Sequence, residues 1–134
     1  MPTDPRGDPT RYRTVLLVDD EKMVLDVGKA ILQRLGHEVL TAESGQEALD
    51  QLDRHRNHIE CVVLDLTMPG MDGVTTFEHL RAVSPELPVI IASGMSADQV
   101  SGQFADYPKT TVIQKPYQVA DLSAKIQALI KNDA

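Results

Sequence analysis

The sequence predicts an α/β fold in which five parallel strands, each followed by a helix, form one open, doubly wound sheet. Three observations support this prediction. Short apolar runs alternate with longer segments of helical period along nearly the whole chain. The first, third and fourth runs show no polar alternation, as burial on both faces of a parallel sheet requires. The chain of 134 residues is also too short for a barrel of eight such units.

The predicted strands are short and apolar, and each precedes a segment of helical character. In chain order their sequences are TVLLVD, HEVLTA, CVVLD, PVIIAS and TVIQ. The helical segments cover residues 21–35, 45–56, 73–83, 97–104 and 119–130. We expect right-handed crossovers between the parallel strands. The default strand order for such a sheet is 2-1-3-4-5, the flavodoxin-like arrangement.

The first and last helical segments each carry an apolar stripe along one side. The two stripes are Val24, Val27, Ile31 and Leu35, and Val119, Leu122, Ile126, Leu129 and Ile130. Residue types that favour helix ends mark several boundaries, with Ser44, Asp72 and Ser96 as N-caps and Gly36 as a stop. The fourth segment is short and polar and contains Gly102, so we expect it to be weakly stabilised and mobile.

Composition limits the domain organisation and the partners. Residues 1–12 are Pro-rich and lack an apolar stretch, so we expect a flexible tail followed by one domain over residues 13–134. No apolar run approaches the roughly 18 residues of a membrane span. The net charge of −7, without a cluster of Lys or Arg, disfavours nucleic acid and favours protein partners. The single cysteine, Cys61, cannot form an internal disulfide, which fits a cytoplasmic location.

Carboxylates follow two of the predicted strands. In the order 2-1-3-4-5 the winding reverses between strands one and three, and ligands bind outside the carboxyl ends of those strands. Asp19 and Asp20 end strand one and Asp65 ends strand three, so we expect three carboxylates to converge. Two of them about 5 Å apart would repel by roughly 3 kcal/mol at an effective dielectric constant of about 20. A hard cation such as Mg²⁺ would relieve this repulsion, whereas the histidines lack the spacing of metal ligands.

The other strand ends carry a hydroxyl and a cation. Strand four ends at Ser93, and strand five ends at Lys115. A hydroxyl, a fixed cation, a metal ion and one further carboxylate together suit an anionic group with three oxygens, which is a phosphoryl group. Asp65 is then the candidate nucleophile, because carboxylates form aspartyl-phosphate intermediates.

Each of these positions also has a structural explanation when it is considered alone. Asp20 and Glu21 can favour the dipole of the following helix, and for Glu21 we prefer this explanation. Asp65 can cap a loop, Ser93 can belong to a turn, and Lys115 can be an ordinary surface lysine. Chance placement at four separate strand ends is less credible than one shared site.

Four blocks of the sequence, VLLVDDE, VVLDLTMPGMDG, IIASG and IQKPY, closely resemble the receiver domain of two-component response regulators. The match covers nearly everything after residue 13. It implies that Asp65 accepts a phosphoryl group from a histidine kinase or a histidine phosphotransfer protein, and that the phosphorylated domain switches contacts with a downstream protein target. A domain of this kind is a phosphoryl acceptor, with at most slow self-dephosphorylation, and not an enzyme with turnover.

The resemblance also assigns roles to individual residues. The ligands that it implies for Mg²⁺ are Asp19, Asp20, Asp65 and, through its backbone carbonyl, Thr67. Ser93 and Lys115 match the hydroxyl and the lysine that contact the phosphoryl oxygens after transfer. Pro116 matches a cis-proline, a geometry that is accessible because the residue is proline.

The chain departs from the family pattern at one position. Val112 stands where the family commonly has a Tyr or Phe that turns inward on activation. We therefore expect the output change to travel through Ser93, the loop after strand four and the fourth helical segment, with Tyr117 as a substitute surface marker. Thr67 and Met95 flank the expected phosphoryl group, and neither orients water strongly, so we expect slow self-dephosphorylation.

Alternatives remain for the context and the chemistry of this domain. It can stand alone or belong to a hybrid sensor kinase, and the blocks SGM and QKPY look more like receivers of the second kind. The alternative function is a Mg²⁺-dependent phosphohydrolase with Asp65 or Asp19 as nucleophile, although Thr67 and Glu21 match its second acid only in part. Flavin binding on the same fold is disfavoured, because DDEK would repel the flavin phosphate.

Overall fold

The computed structural model describes residues 14–55, 58–66, 73–94, 102, 104, 107–115 and 118–131. Strands and helices alternate along this part of the chain. The strands are β1 (Thr14–Val18), β2 (Glu38–Ala42), β3 (Cys61–Asp65), β4 (Val89–Ser93) and β5 (Thr110–Gln114). The helices are α1 (Lys22–Arg34), α2 (Gly45–Arg54), α3 (Gly73–Val83) and α4 (Val119–Lys131). None of the helices in this described part is long and apolar enough to cross a membrane.

The five strands form one parallel sheet in the order β2-β1-β3-β4-β5, which confirms the predicted fold. β1, β3 and β4 are buried along their whole length, and the edge strands β2 and β5 are partly exposed. This difference explains the sequence pattern, because only the central strands have helices over both faces and therefore lack polar positions. The carboxyl ends of β1, β3 and β4 consequently lie side by side.

The core has two layers, one on each face of the sheet. Leu16, Val18 and the alternate positions of the other strands pack with residues of α2 and α3. Val15, Leu17 and their equivalents pack with residues of α1 and α4. Successive strand residues point to opposite faces, so every central strand contributes to both layers. The two layers hold the strand ends in fixed positions.

Several predicted helix boundaries are present. The Ser44 hydroxyl accepts a hydrogen bond of 3.1 Å from the backbone N–H of Glu47, as an N-cap does. Gly36 has a φ of 94°, the left-handed conformation that ends a helix and favours glycine. The predicted caps Asp72 and Ser96 lie outside the described residues, as does most of the fourth predicted helix. In that segment Gly102 and Phe104 have helical backbone.

The apolar stripe predicted for α1 is wrong by about one position. The residues of α1 that are buried are Leu25, Gly28 and Leu32, whereas Val27 is 57% exposed. The inward stripe has a glycine at its centre, which a count of apolar residues does not recognise as a core position. The last helix agrees better with its prediction, because its residues Leu122, Ile126 and Leu129 are buried.

Candidate functional site

The polar residues selected from the sequence lie along the carboxyl edge of the sheet. Asp19 directly follows β1, and its backbone N–H donates to the Ala42 carbonyl at 3.1 Å. Asp65 and Ser93 are the last residues of β3 and β4, and both are buried. Lys115 directly follows β5. The strand order therefore places two carboxylates, a hydroxyl and an ammonium group at one edge, as the sequence predicts.

The ammonium group of Lys115 lies among three carboxylates. Its Nζ is 2.9 Å from Asp19 Oδ2, 3.5 Å from Asp65 Oδ1 and 3.9 Å from Glu21 Oε1. The Asp19 and Asp65 side chains are almost completely buried, and the Lys115 side chain is 17% exposed. One cation from the edge strand thus brings together acids from the first and third strands.

Backbone hydrogen bonds continue past the strand ends and fix these residues. The Lys115 N–H donates to the Ser93 carbonyl at 2.7 Å, and the Leu66 N–H donates to the Ala92 carbonyl at 2.9 Å. These bonds extend the sheet pairing by one residue on each side of β4. The backbones of Asp65, Ser93 and Lys115 are therefore set by the sheet itself.

Two opposing effects act on the pKa of Lys115. Partial burial favours the neutral amine and by itself lowers the pKa. The hydrogen bond with Asp19 and the negative charges of Asp65 and Asp19 outweigh burial, and together they hold the pKa above its ordinary value of 10.5. Lys115 is therefore positively charged at neutral pH, as an electrostatic partner for an anion must be.

The acids after β1 form a group with the geometry of a cation site. Asp19, Asp20 and Glu21 each offer a carboxylate oxygen, and these oxygens lie within 4.8 Å of one another. Asp19 is buried, while Asp20 and Glu21 are exposed, so a bound cation would keep access to water. Hard carboxylate oxygens with open positions fit Mg²⁺, which retains several waters in protein sites. The donor set therefore suits the expected cation.

Glu21 differs from the sequence prediction, which gave it only a role in the helix dipole. It occupies the N-cap of α1 without a capping hydrogen bond from its side chain. Its backbone N–H donates to Asp19 Oδ1 at 2.9 Å, and its carboxylate lies near Lys115. The signal that could have identified it is the run of three acids itself, because a turn directly after a strand keeps adjacent side chains together.

Gly73 is a site-forming residue that sequence reasoning missed. It begins α3, and its N–H donates to the Leu66 carbonyl at 2.9 Å. A Cβ atom at this position would overlap the backbone of Asp65 and Leu66. The absent side chain lets α3 start directly against the end of β3. The motif MDG contains this signal, since a glycine after a turn often marks a close approach of two backbone segments.

Other predicted residues are placed in part. Val112 is buried in β5 and belongs to the layer that packs with α2 and α3, so the position of the family's aromatic residue is filled by an aliphatic side chain. Thr67, Met95, Pro116 and Tyr117 lie outside the described residues. The carbonyl ligand, the residues that flank the phosphoryl group and the cis peptide bond therefore stay predictions.

Comparison with known proteins gives consistent matches. The family model of the response regulator receiver domain matches residues 15–127. Among curated proteins, the chain is 33% identical to the sensor kinase CckA of Brucella abortus over 118 residues, which is 88% of this chain and 12% of CckA. It is 38% identical to the transcriptional regulatory protein PrrA of Mycobacterium bovis over 119 residues, 87% of this chain and 49% of PrrA. The chain thus spans half or less of these relatives.

Solved structures show the same similarity. A response regulator receiver domain protein from Clostridium thermocellum aligns with a TM-score of 0.82 and 30% identity, covering 90% of this chain and 96% of that one. CheY from Borrelia burgdorferi, in a complex with CheX, BeF₃ and Mg²⁺, aligns with a TM-score of 0.81 and 28% identity over 87% of this chain and 88% of that one. The receiver domain of the hybrid histidine kinase CckA aligns with a TM-score of 0.72 and 28% identity, covering 87% and 98% of the two chains.

Proposed function

The chain belongs to the family of response regulator receiver domains, and from this premise we propose that it accepts a phosphoryl group on Asp65 in a Mg²⁺-dependent reaction. The donor is a histidine kinase or a histidine phosphotransfer protein in the cytoplasm. The phosphorylated domain then changes its contacts with a downstream protein target. The protein is an acceptor with slow self-dephosphorylation and not an enzyme with turnover.

The observation that carries this proposal is the position of Lys115 between Asp19 and Asp65. Two nearly buried carboxylates from different strands contact one cation, which offsets the repulsion between their negative charges. An ionised Asp65 is the form that can attack phosphorus. The same ammonium is already beside Asp65 Oδ1, where phosphoryl oxygens would lie after transfer.

The proposed metal site combines the acids after β1 with Asp65. Asp19, Asp20 and Asp65, with the backbone carbonyl of Thr67, would hold Mg²⁺. Asp19 and Asp20 belong to the acidic group that also includes Glu21, and Asp19 and Asp65 both contact Lys115. When bound, Mg²⁺ offsets the negative charge that accumulates between the acceptor and the incoming phosphoryl group. Asp19 has a second task, because it also accepts hydrogen bonds from Lys115 and from the Glu21 N–H.

The transfer step needs no reactant other than the phosphorylated donor. A carboxylate oxygen of Asp65 forms the new P–O bond while the P–N bond to the donor imidazole breaks, and the imidazole keeps that electron pair. Lys115 stays protonated and moves its hydrogen bond from the carboxylates to a phosphoryl oxygen. The Ser93 hydroxyl, at the adjacent strand end, is the second group that we assign to the phosphoryl oxygens. This change of hydrogen-bond partners at Lys115 and Ser93 is the event that alters the contacts of the domain with its downstream target.

The surface beside the site suits a protein donor. Met23 and Val27 are one turn apart on α1 and are 80% and 57% exposed. α1 begins directly after Asp19, Asp20 and Glu21, so this apolar pair lies in the two helical turns that follow those acids. We assign it to docking of the donor. Met23→Ser should slow transfer from a phosphotransfer protein and leave transfer from a small phosphodonor unchanged.

The direct test is phosphorylation by a small donor. The purified chain is incubated with acetyl phosphate and Mg²⁺, and the site of any added phosphoryl group is mapped by mass spectrometry. We expect modification at Asp65, its loss in Asp65→Asn, and its retention in the matched control Asp26→Asn on α1. Modification of both variants would contradict the assignment. Steady turnover of phosphomonoesters would instead favour a phosphohydrolase.

The lifetime of the phosphorylated form tests the second part of the proposal. With Thr67 and Met95 beside the phosphoryl group, neither position provides an acid or an amide that could orient an attacking water. The expected result is slow loss of the phosphoryl group after removal of the donor. A half-life of seconds on purified phosphoprotein would contradict slow self-dephosphorylation without affecting the assignment of Asp65.

A further inference from the structure

A groove separates α2 from α3 on the face of the sheet that α1 and α4 do not cover. Its volume is about 450 Å³. The residues that line it are Leu49, Leu52 and Asp53 from α2 and Glu78, His79, Ala82 and Val83 from α3. We call it the α2–α3 groove. None of these residues belongs to the candidate site at the carboxyl edge, so the groove needs a separate explanation.

The exposed side of α3 is more apolar than the exposed side of the neighbouring helix α2. Its exposed residues are Val74, Glu78, His79, Ala82 and Val83, and Val83 is 44% exposed. The neighbouring helix gives a direct comparison, because the exposed residues of α2 are all polar or charged: Gln46, Glu47, Asp50, Asp53 and Arg54. A helix that only faces water resembles α2. The apolar side of α3 therefore indicates a surface that a partner covers.

The charges around the groove select the partner. Asp53 and Glu78 line opposite walls, and Glu47 and Asp50 add exposed negative charge on α2. Among the described exposed residues of α2, the three acids Glu47, Asp50 and Asp53 outnumber the one basic residue, Arg54. A nucleic acid or an anionic membrane would be repelled, and so would a second copy that presented the same acids in a symmetric contact. A cationic protein segment is the complementary occupant.

The spacing of these residues fits a helical occupant. Leu49 and Asp53 are four residues apart on one wall, and Glu78 and Ala82 are four residues apart on the other. Each wall thus presents an apolar residue and an acid one helical turn apart. An amphipathic helix in a groove presents its anchors at the same period, with cationic residues beside them.

We propose that the α2–α3 groove binds an amphipathic helical segment of a partner protein, whose apolar side chains fill the groove while its Lys or Arg residues pair with Glu78. This interaction is additional to phosphoryl transfer and does not rest on it. Binding here would leave the carboxyl edge accessible, so a partner could be held during the reaction at Asp65.

The test uses the full chain and a defined probe. ¹⁵N-labelled protein is titrated with a synthetic amphipathic helix of Leu, Ala and Lys, and with a peptide of the same composition whose order removes the apolar face. We expect amide shifts centred on Leu49, Leu52 and Ala82 with the first peptide only. Equal binding of both peptides, shifts elsewhere, or self-association of the protein would overturn the proposal.

Three variants separate docking from general charge attraction. Glu78→Lys should weaken binding about tenfold, because it reverses a charge about one contact distance from the peptide. Asp26→Lys makes the same charge change on α1 and should have an effect below about twofold. Ala82→Glu adds negative charge but fills the groove, so docking predicts weaker binding and charge attraction alone predicts tighter binding.

Equal effects of Glu78→Lys and Asp26→Lys, or tighter binding by Ala82→Glu, would contradict the proposal. Phosphorylation of Asp65 by acetyl phosphate should be unchanged in all three variants.

Discussion

Two cationic side chains lie at opposite ends of β5 and have opposite kinds of partners. At the carboxyl end Lys115 contacts the carboxylates of Asp19, Asp65 and Glu21. At the other end Arg81 of α3 reaches the start of β5 and bonds to neutral groups. In the proposed reaction Lys115 exchanges a carboxylate for a phosphoryl oxygen, whereas the hydrogen-bond acceptors of Arg81 are all neutral oxygens in the described part of the chain. We call the carboxyl end of β5, where we propose phosphoryl transfer, the exchangeable end, and the opposite end, where Arg81 bonds to backbone carbonyls and Thr110, the fixed end.

The fixed end is held by five hydrogen bonds from the two terminal nitrogens of Arg81, whereas its buried Nε has no hydrogen-bond partner among the described residues. Arg81 is only 8% exposed, and its Nη1 donates to the carbonyls of Ser84 and Leu87 at 3.2 and 2.6 Å. Its Nη2 donates to the carbonyls of Pro108 and Lys109 at 2.9 and 3.2 Å and to Thr110 Oγ1 at 2.6 Å. Burial lowers the pKa of Arg81, and the charge of Glu86 acts in the opposite direction. One guanidinium therefore joins α3 to the loops before β4 and β5.

The largest expected effect is at this fixed end. Arg81→Met removes five hydrogen bonds and leaves several carbonyl oxygens in a buried region without their donor. We expect the free energy of unfolding to fall by about 3–5 kcal/mol. Urea denaturation monitored by circular dichroism measures this change. Because no ion from solution can replace a guanidinium that bonds to neutral groups, added Mg²⁺ should restore none of the lost stability.

The next effect tests whether the exchangeable end also has a rigid component. Gly73→Ala places a methyl group against the backbone of Asp65 and Leu66, so α3 or the end of β3 must move. We expect a loss of about 1–3 kcal/mol, the usual range for overpacking, together with slower phosphorylation by acetyl phosphate. The control is Ala at the exposed Gly102, where a Cβ would meet no atom within 4 Å. Equal effects of the two substitutions would mean that the close contact at Gly73 is unimportant.

The sequence predicted which residues lie at the exchangeable end, but it did not predict the role of Arg81 at the fixed end. Asp65 and Ser93 are the last residues of their strands, and Asp19 and Lys115 directly follow theirs. The strand order alone therefore brings all four to one edge of the sheet. Arg81 gave no such signal, because an arginine in a helix is usually exposed. Its position beside Phe77 and Leu80 in the apolar part of α3 was the available clue. The α1 stripe failed for a related reason, since Gly28 does not count as apolar.

A smaller effect on stability is expected for Lys115→Met. Asp19 and Asp65 lose their shared cation, but the nearby exposed acids leave this edge open to ions from solution. We expect a loss of about 1–2 kcal/mol in metal-free buffer, lower than for Arg81→Met because the charges can be compensated. Mg²⁺ should restore this stability.

Removing one positive charge from the cluster should also tighten Mg²⁺ binding by about tenfold.

Calorimetric titration with Mg²⁺ provides the matched control for that comparison. Arg81→Met, measured under conditions where it remains folded, should bind Mg²⁺ with the affinity of the unmodified chain, because Arg81 contacts no acid of the cluster among the described residues. Weaker Mg²⁺ binding by Lys115→Met would contradict the view that the lysine and the metal compete for the same carboxylates.

The smallest expected effect isolates one bond of the fixed end. Thr110→Val keeps the size of the side chain and its preference for a strand, and removes the hydroxyl that accepts from Arg81 Nη2 and donates to the Pro108 carbonyl. Nη2 keeps its bonds to the carbonyls of Pro108 and Lys109, so the arginine stays in place. We therefore expect a loss of only about 0.5–1 kcal/mol in urea denaturation. In the double variant with Arg81→Met, the threonine should contribute almost nothing further. A Thr110→Val effect as large as that of Arg81→Met would mean that a single bond, and not the shared set, holds the start of β5.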